Sequence, residues 1–305
     1  MTTSPVESLH LGFIGLGNIG GAIAANLLAD GHQLTVLDTD VSRSTELAGA
    51  GAKVASDPAE VAAGSDWTFL SLPTPAIVES VARQWCTADV QGKVLLDLST
   101  NAPATVRQLG AVVAGAGATL VEAPLTGGAI GARNRQLVFI LGGDDGVVAE
   151  VTPLLMTVGR ATFHLGPLGN GNVGKLVNSL VAFATTWVSL EGLALAAKHD
   201  VDLRTVVDMV RTSGAAMPYL DKRVEGIAQR GRPAEFALEL AAKDAGLMVE
   251  AGREVGAPMP VASALLQVLA FAVGQGLGDR DFSDFVEVAE RAAAVELVLA
   301  PAPEG

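Results

Sequence analysis

The sequence has little of what builds a disulfide framework or a metal site. Cys86 is the only cysteine in 305 residues, so no disulfide can form within the chain. Four histidines are scattered without the spacing of metal ligands: His10, His32, His164 and His199. We therefore expect no structural or catalytic metal. Cys86 itself follows a helical pattern, where a buried structural thiol is the ordinary interpretation.

Positive charge and aromatic side chains are scarce as well. The 20 Lys and Arg residues stand against 33 Asp and Glu residues, which gives a net charge of −13, and no basic run interrupts this excess. Because such a field repels polyanions, we expect no binding to nucleic acid. Aromatic residues make up 4% of the chain and hydrophobic residues 50%, so the core is mostly aliphatic and suits helices and buried parallel strands. The length is comfortable for two domains.

We expect no export signal at the start of the sequence. Residues 1–5 have neither the basic start nor the apolar run of a signal peptide. The segment from Leu176 to Ala197 is apolar enough to resemble a membrane span, but it contains Asn178 and Glu191. A buried helix between two domains explains this segment better than a bilayer does. We therefore expect a cytoplasmic protein that does not bind membranes.

Short apolar runs alternate with helical patterns through the first half of the chain. The runs cover residues 11–14, 33–37, 67–72, 93–96, 118–121 and 136–141. This alternation is typical of βαβ units, which build a parallel sheet covered by helices on both faces.

Strand patterns stop after about residue 170. Helical patterns then cover residues 172–198, 202–213, 217–230, 235–254, 261–275 and 283–298, with glycine and proline between them. We predict an α/β fold in which a Rossmann-type dinucleotide-binding domain, residues 1–170, precedes an all-α domain, residues 171–305. The long helix from Asn172 joins the two domains.

A glycine-rich turn follows the first predicted strand. Residues 15–20 read GLGNIG and open a helix. In such a turn Gly15 permits the tight bend, Gly17 lets the backbone approach a pyrophosphate, and Gly20 lets helix and strand pack closely. The helix start supplies N–H donors and positive potential. The other members of the predicted cofactor turn are Leu16, Asn18 and Ile19.

Asp38 ends the second predicted strand, where an acidic side chain accepts a hydrogen bond from a cofactor ribose. A carboxylate at this place binds the 2′-hydroxyl of NAD and repels the 2′-phosphate of NADP. Asp40 adds a second negative charge nearby, whereas the mobile side chain of Arg43 could pair with a phosphate. We predict NAD as the cofactor, with NADP as the alternative.

Further motifs occur in order along the chain. Residues 12–20 read GFIGLGNIG, residues 72–75 LPTP, residues 97–103 DLSTNAP, residues 122–128 EAPLTGG and residues 169–178 GNGNVGKLVN. They are followed by Phe236, by Lys243 with Asp244, and by GDRDFS at residues 278–283. Together these segments resemble the β-hydroxyacid dehydrogenase family over nearly the whole chain. That family includes 3-hydroxyisobutyrate dehydrogenase and tartronate semialdehyde reductase.

The resemblance implies an NAD-dependent reaction between a small β-hydroxy acid and its semialdehyde or keto form. It also implies a homo-oligomer, either a homodimer or a larger assembly. Lys175 is implied as the general acid and base. The residues implied to bind the substrate are Ser99, Thr126, Gly127, Gly128 and Asn178. Those implied to contact the cofactor beyond the glycine turn and Asp38 are Leu72, Pro73, Thr100 and Lys243.

The chemistry of Lys175 fits the role that the resemblance implies. A lysine at the start of an apolar helix is poorly placed for a purely structural cation, because cations are favoured at the other helix end. The positive helix end and partial burial favour release of its proton. Asn178 lies one turn further along the same face, where it either binds the substrate or packs between helices.

The sequence departs from the family pattern near the implied substrate residues. Ser179 stands where many relatives carry a second amide, Thr126 replaces the usual serine, and Arg135 replaces an expected glycine. These departures leave the substrate identity open. The residues that either shape a specificity pocket or pack in the core are Met217, Pro218 and Tyr219.

Two other functions are weighed against the dehydrogenase. Imine reductases resemble the same scaffold but typically carry Asp, Tyr or Asn at the catalytic position, so Lys175 favours alcohol or aldehyde chemistry. The other is a non-catalytic dinucleotide-binding module, as in chromatin-associated relatives that have lost the lysine. The presence of Lys175 and the lack of a basic segment for DNA argue against that module.

Overall fold

The computed structural model describes residues 9–216 and 230–298 of the chain. The chain divides into two compact units, with the division between Leu176 and Val177. The first unit contains sheets and helices, and the described part of the second unit is helical.

A six-stranded parallel sheet forms the centre of the first unit. Its strands are β1 (His10–Ile14), β2 (Gln33–Leu37), β3 (Lys53–Val54), β4 (Trp67–Leu70), β5 (Val94–Asp97) and β6 (Thr119–Glu122). They lie in the order β3-β2-β1-β4-β5-β6. This is the order of dinucleotide-binding sheets, in which the ligand crevice lies where the order reverses, between β1 and β4. The predicted Rossmann-type fold is confirmed. The pattern had missed β3, because its residues are exposed and too few to form an apolar run.

Helices cover both faces of this sheet. They are α1 (Gly20–Ala29), α2 (Val41–Gly49), α3 (Pro58–Ala63), α4 (Pro75–Trp85), α5 (Pro103–Gly115) and α7 (Asp145–Val158), while α6 (Gly128–Arg133) packs against α1. Proline occupies the first position of α3, α4 and α5, where its missing N–H leaves no helical hydrogen bond unmade. Alternate strand residues enter two separate cores. Phe13 stacks on Phe69 on one face, with ring centroids 5.4 Å apart, and Leu70 packs with Trp85 on the other.

A second, three-stranded sheet follows the first. It consists of β7 (Leu125–Thr126), β8 (Leu137–Leu141) and β9 (Gly159–His164). Strand β7 is antiparallel to β8, and β8 is parallel to β9. We expected residues 136–141 to add a strand to the parallel sheet, and that expectation is wrong. Strand β8 meets β6 only through the bridge between Glu122 and Gly142. The half-exposed β9 lacks the apolar run that would have predicted it.

The helical part of the chain begins with α8 (Asn170–Lys198), which carries the division between the two units. It is followed by α9 (Leu203–Thr212), α10 (Leu238–Glu254), α11 (Pro260–Ala272) with a π-helical turn at Val273–Leu277, a 3-10 turn at Phe282–Asp284, and α12 (Phe285–Ala293). The predicted helix over 283–298 is too long. Ala294 ends α12 in the left-handed conformation at φ +50°. The predicted helix over 217–230 lies almost wholly outside the described residues, as do Met217, Pro218 and Tyr219.

Candidate active site

The glycine turn begins where β1 ends, at the carboxyl edge of the parallel sheet. Gly15 has a φ of +93°, and a Cβ there would overlap the carbonyl oxygen of Ser71. A Cβ on Gly20 would overlap the carbonyl oxygen of Gly15. A Cβ on Gly17, in contrast, would meet nothing closer than Nη1 of Arg43, at 3.8 Å. The chain leaves the outer face of this turn open, which fits a cofactor pyrophosphate at the start of α1.

Asp38 lies against the same turn, just after β2. Its Oδ2 accepts the backbone N–H of Leu16 over 2.6 Å, and its Oδ1 accepts that of Asp40 over 2.8 Å. Nη1 of Arg43 lies 3.7 Å from Oδ2 of Asp38, and Nε lies 3.4 Å from Oδ2 of Asp40. Two carboxylates thus face this guanidinium, so the local charge stays negative at the place where this fold binds the adenosine ribose.

The loops after β4 and β5 join at this sheet edge. Ser99 is buried, and its Oγ accepts the backbone N–H of Leu72 over 3.0 Å. Asp97 holds the turn after β5, because its carboxylate accepts from the backbone N–H of Ser99 at 3.0 Å and from Nδ2 of Asn101 at 2.7 Å. The half-buried Thr100 belongs to the same turn. The structure therefore brings the predicted residues Leu72 and Ser99 together.

The remaining predicted cofactor residues of the first unit lie near the surface. Asn18 and Pro73 are exposed, and Ile19 is half-buried.

Asn101, which was not predicted, is buried, and its Oδ1 has no hydrogen-bond partner. A buried acceptor without a donor at this edge fits a ligand that carries amide or hydroxyl donors.

The predicted substrate turn lies between the second sheet and α6. Thr126 ends β7, opposite Val138 of β8. Gly127 has a φ of +125° and Gly128 a φ of +63°, and both are exposed. A Cβ on Gly128 would meet no atom within 4 Å. Backbone strain would disfavour a side chain at both glycines, and an exposed glycine turn of this kind is a type of site that can bind a carboxylate through backbone N–H groups.

The start of α8 is built on the carboxylate of Glu122, which is 0% exposed. Its Oε1 accepts the backbone N–H groups of Gly169 and Gly171, the latter over 3.0 Å. Its Oε2 accepts the backbone N–H of Asn172 over 3.0 Å and Nδ2 of the same residue over 2.6 Å. Burial raises the pKa of Glu122, and the hydrogen bonds from Asn172, Gly171 and Gly169 oppose that rise.

Lys175 lies in α8, three residues after Asn172, and is half-buried. Asn178 lies in the same helix and is exposed, whereas the neighbouring Ser179 is buried. Asn172 also connects the helix to the turn after β5, because its Oδ1 accepts the backbone N–H of Asn101 over 2.7 Å. The helix that carries Lys175 is thus tied to the sheet edge that carries Ser99.

The segment GDRDFS at residues 278–283 contains a buried carboxylate. Asp281 is 2% exposed and accepts from Ser283 Oγ at 2.7 Å, from the backbone N–H of Glu235 at 2.9 Å and from Arg232 Nη2 at 2.9 Å. Burial raises the pKa of Asp281, but the hydrogen bonds from Ser283, Glu235 and Arg232 outweigh it and lower that pKa to about 2. Asp281 therefore holds the segment from which α10 starts.

Lys243, the predicted cofactor contact of the helical unit, lies in α10. Its Nζ is 3.0 Å from Oδ1 of the buried Asp244.

Within residues 9–216 and 230–298, no group of three or more His, Cys, Asp and Glu side chains could hold a metal ion.

Arg135 has a structural explanation that its sequence position does not suggest. Its φ is +57°, the left-handed region in which glycine is favoured. Its guanidinium forms a two-armed ion pair with Asp30, at 2.6 and 2.9 Å, and donates to the carbonyl oxygen of Thr157 at 2.9 Å. Arg135 therefore ties the segment before β8 to the ends of α1 and α7.

Glu122, Asn172 and Asn101 lie within the sequence motifs, but the motifs alone indicate no role for them. A signal was present for Glu122, since an acid at the end of an otherwise apolar strand pattern needs a buried partner. No comparable signal identifies Asn101 or Asn172, because asparagine is ordinary in turns and at helix starts.

Comparison with known families agrees with this geometry. Residues 10–166 match the model described as the NAD binding domain of 6-phosphogluconate dehydrogenase. Residues 169–289 match the model described as NAD-binding of NADP-dependent 3-hydroxyisobutyrate dehydrogenase. The chain belongs to the β-hydroxyacid dehydrogenase family. It is therefore an NAD(P)-dependent hydroxyacid dehydrogenase, as the motifs predicted.

Individual relatives align with nearly the whole length of this chain. The 2-(hydroxymethyl)glutarate dehydrogenase of Eubacterium barkeri is 30% identical over 95% of this chain and 98% of its own. A structure of Mycobacterium tuberculosis 3-hydroxyisobutyrate dehydrogenase with L-serine has a TM-score of 0.81 at 25% identity, covering 92% of this chain and 98% of its own. An imine reductase from Pseudomonas sp. shares the fold more distantly, with a TM-score of 0.63 at 18% identity over 92% of this chain and 99% of its own.

Proposed function

We propose that this dehydrogenase interconverts a small β-hydroxy acid and its semialdehyde, with NAD as cofactor and Lys175 as general acid and base. The observation that carries the proposal is the anchoring of α8. Glu122 and Asn172 fix the first turn of the helix, and Lys175 follows one turn later. A lysine so placed belongs to the sheet edge at which this fold binds its ligand.

The nicotinamide, when bound, accepts or donates the hydride. Lys175 takes the proton of the substrate hydroxyl during oxidation and returns a proton to the carbonyl oxygen during reduction. Proton transfer of this kind contributes about 10² to 10⁴ in rate. The turn of Thr126, Gly127 and Gly128 holds the substrate carboxylate through its backbone N–H groups and the hydroxyl. Asn178 hydrogen-bonds the substrate, and Ser99 orders the loop of Leu72 while its hydroxyl hydrogen remains able to donate.

The preference for NAD rests on the charges around Asp38. Asp38 and Asp40 together carry two negative charges against the single positive charge of Arg43, to which both are paired. A 2′-phosphate would add further negative charge beside these carboxylates, whereas a ribose hydroxyl donates to them. Gly15 to Ile19 hold the pyrophosphate. The other proposed cofactor contacts are Leu72, Pro73, Thr100 and Lys243.

A substrate panel tests the proposed function. The change in NADH absorbance is followed with 3-hydroxyisobutyrate, 3-hydroxypropionate, L-serine, glyoxylate, succinic semialdehyde and a cyclic imine. We expect turnover of hydroxy acids or semialdehydes and none of the imine. Turnover of the imine alone would establish the reductase alternative, and NADH binding without any turnover would establish the non-catalytic module.

We propose also that the protein forms a homo-oligomer. The support comes from α8, whose residues Val177, Val181, Val188 and Leu195 follow one helix face and are each 57% to 64% exposed. A second copy of the chain would remove this apolar stripe from water. Light scattering after gel filtration tests the proposal, since wild-type protein that elutes as a monomer at micromolar concentration would refute it.

For localisation we propose a cytoplasmic protein that binds neither membranes nor nucleic acid. Two described helical segments, Asn170–Lys198 and Pro260–Leu277, have the length and apolar composition of a membrane span. Core helices of soluble proteins often have the same length and composition. Lys175 and Glu191 within α8 would be costly inside a bilayer. The net charge of −13 disfavours nucleic acid. Recovery of the protein in the membrane fraction of a cell lysate would contradict this proposal.

A further inference from the structure

Glu122 is held in place from two sides. Its backbone N–H and carbonyl both pair with Gly142, at 3.0 Å each. Its carboxylate receives the N–H groups at the start of α8 described above. A Cβ on Gly142 would overlap Oε1 of Glu122, and a Cβ on Gly171 would lie 3.0 Å from its carboxyl carbon. The two glycines therefore make room for this carboxylate at the helix start.

This arrangement is an unusual way to begin a helix. The first N–H groups of a helix find no partner inside it, and an exposed side chain commonly caps them. Asp40, Asp57 and Thr74 cap α2, α3 and α4 in this manner. Glu122 caps α8 in a different way, because it is buried and lies at the end of β6, far from α8 along the chain. An ionised carboxylate in the interior is costly unless it is fully hydrogen-bonded.

The hydrogen bonds continue from Glu122 to the turn after β5. The amide of Asn172 donates to Glu122 with its nitrogen and accepts from the backbone of Asn101 with its oxygen. The amide of Asn101 donates to Asp97, which also holds Ser99. All five residues are 5% exposed or less. The position of the first turn of α8 is thereby set relative to the turn of Ser99 and Thr100.

We propose that Glu122 is a positioning residue for Lys175. Lys175 lies three residues after Asn172, about 4.5 Å further along the helix axis. A shift or rotation of the first turn therefore moves the amine of Lys175 relative to the sheet edge. Glu122 touches neither substrate nor cofactor in this role and acts through the helix. The inference rests on the proposed function, in which Lys175 moves the proton.

A double-mutant cycle tests the inference. Glu122→Gln keeps the size of the side chain but replaces one acceptor oxygen with a donor that opposes the helix N–H groups. Lys175→Ala removes the amine, and the double variant combines both changes. Steady-state kcat and KM are measured with the panel member of highest kcat/KM, with NAD for a hydroxy acid or NADH for a carbonyl substrate, and the NADH dissociation constant is measured by fluorescence. Asp30→Ala is the control for lost stability, because it breaks the ion pair with Arg135 in the same unit.

We expect Glu122→Gln to lower kcat about tenfold to a hundredfold, since small misplacements of a catalytic group have such effects. KM and the NADH dissociation constant should stay within about threefold. The substitution is expected to weaken an interaction that acts in the transition state, and not the binding of substrate or cofactor in the ground state. In the Lys175→Ala background, Glu122→Gln should lower kcat by less than about twofold, because residues that act as a unit are non-additive. Glu122→Asp, which keeps the charge, should recover part of kcat, and Asp30→Ala should keep it.

The outcomes separate the inference from the function on which it rests. Wild-type kcat in Glu122→Gln, or losses that multiply in the double variant, would overturn the positioning role alone. Unchanged kcat in Lys175→Ala would overturn the proposed mechanism and the inference with it. If Glu122→Gln does not fold, Asn172→Ala replaces it in the cycle, since that variant breaks the link to Asn101 but leaves the carboxylate bonded to backbone N–H groups. The same two results then decide the inference.

Discussion

The backbone N–H of Leu16 donates to Oδ2 of Asp38 over 2.6 Å, so the carboxylate proposed to bind the cofactor ribose also holds the glycine turn. One side chain therefore couples the two halves of the proposed adenosine site, the turn for the pyrophosphate and the end of β2 for the ribose. Arg43 is kept beside the turn by the same carboxylate.

Asp38→Asn should lower kcat/KM for NAD about tenfold and raise the ratio of NADP to NAD activity. The amide oxygen can still accept from Leu16, but the charge that repels a 2′-phosphate and restrains Arg43 is gone. The measurement is kcat/KM with each cofactor at one substrate concentration series. Asp40→Asn is the matched comparison and should raise this ratio less, because Asp40 is exposed and pairs with the same arginine, whereas Asp38 also accepts from the glycine turn. An unchanged NADP to NAD ratio in Asp38→Asn would show that Asp38 does not select the cofactor.

Lys175→Ala should lose at least about a hundredfold in kcat, the contribution expected of a general acid and base. Its NADH dissociation constant should stay close to that of the wild type, because the proposed role concerns the substrate proton. Lys198→Ala is a suitable control, since Lys198 is an exposed lysine near the end of the same helix. Near-normal kcat in Lys175→Ala would rule out this lysine as the proton donor and acceptor.

Arg135→Ala should lower the free energy of unfolding by about 1 kcal/mol, whereas Arg135→Gly should be close to neutral. Both variants lose the ion pair with Asp30, which contributes about 1 kcal/mol at a partly exposed site. Only glycine also relieves the left-handed backbone at φ +57°, which costs about 1 kcal/mol for other residues. Thermal unfolding of both variants measures the difference. Equal melting temperatures for alanine and glycine would contradict the strain argument, and relative kcat/KM values across the substrate panel should not change.

Asp281→Asn should destabilise the helical unit by about 3 kcal/mol, because it leaves Arg232 without its carboxylate and weakens the hydrogen bonds from Ser283 and from the backbone N–H of Glu235. The hydrogen bonds hold the folded-state pKa at about 2, below the ordinary value of 3.8. The stabilisation is therefore present above about pH 4 and is lost as the pH falls towards 2. Melting temperatures between pH 7 and pH 2.5 measure this, and the exposed Asp279→Asn is the control. A wild-type acid profile in Asp281→Asn would contradict the assignment.

Most of the local structure of this dehydrogenase could be predicted from its sequence, because the deciding interactions are local. The glycine turn, the end of β2 at Asp38 and the proline starts of α3 to α5 each depend on backbone rules that a few neighbouring residues obey. The alternation of apolar runs likewise predicted the parallel sheet, since both of its faces are buried.

The partners of each strand could not be predicted from such patterns. Residues 137–141 form an apolar run like those of the parallel sheet, yet they pair with β7 and β9 in a separate sheet. A run of this kind specifies burial, not the neighbour that buries it. The two residues of β7 and the half-polar β9 carry no pattern that would have revealed the second sheet.

The sequence by itself determined the family and the glycine turn, and it supplied the proposed roles of Asp38 and Lys175, because each depends on residues that lie close together along the chain. Only the tertiary structure decided what Arg135 and Glu122 do. Arg135 meets Asp30 across 105 residues, and Glu122 meets Asn172 across 50. Such partners are chosen by the packing of distant strands and helices, and a buried charge finds its hydrogen bonds only after that packing has formed.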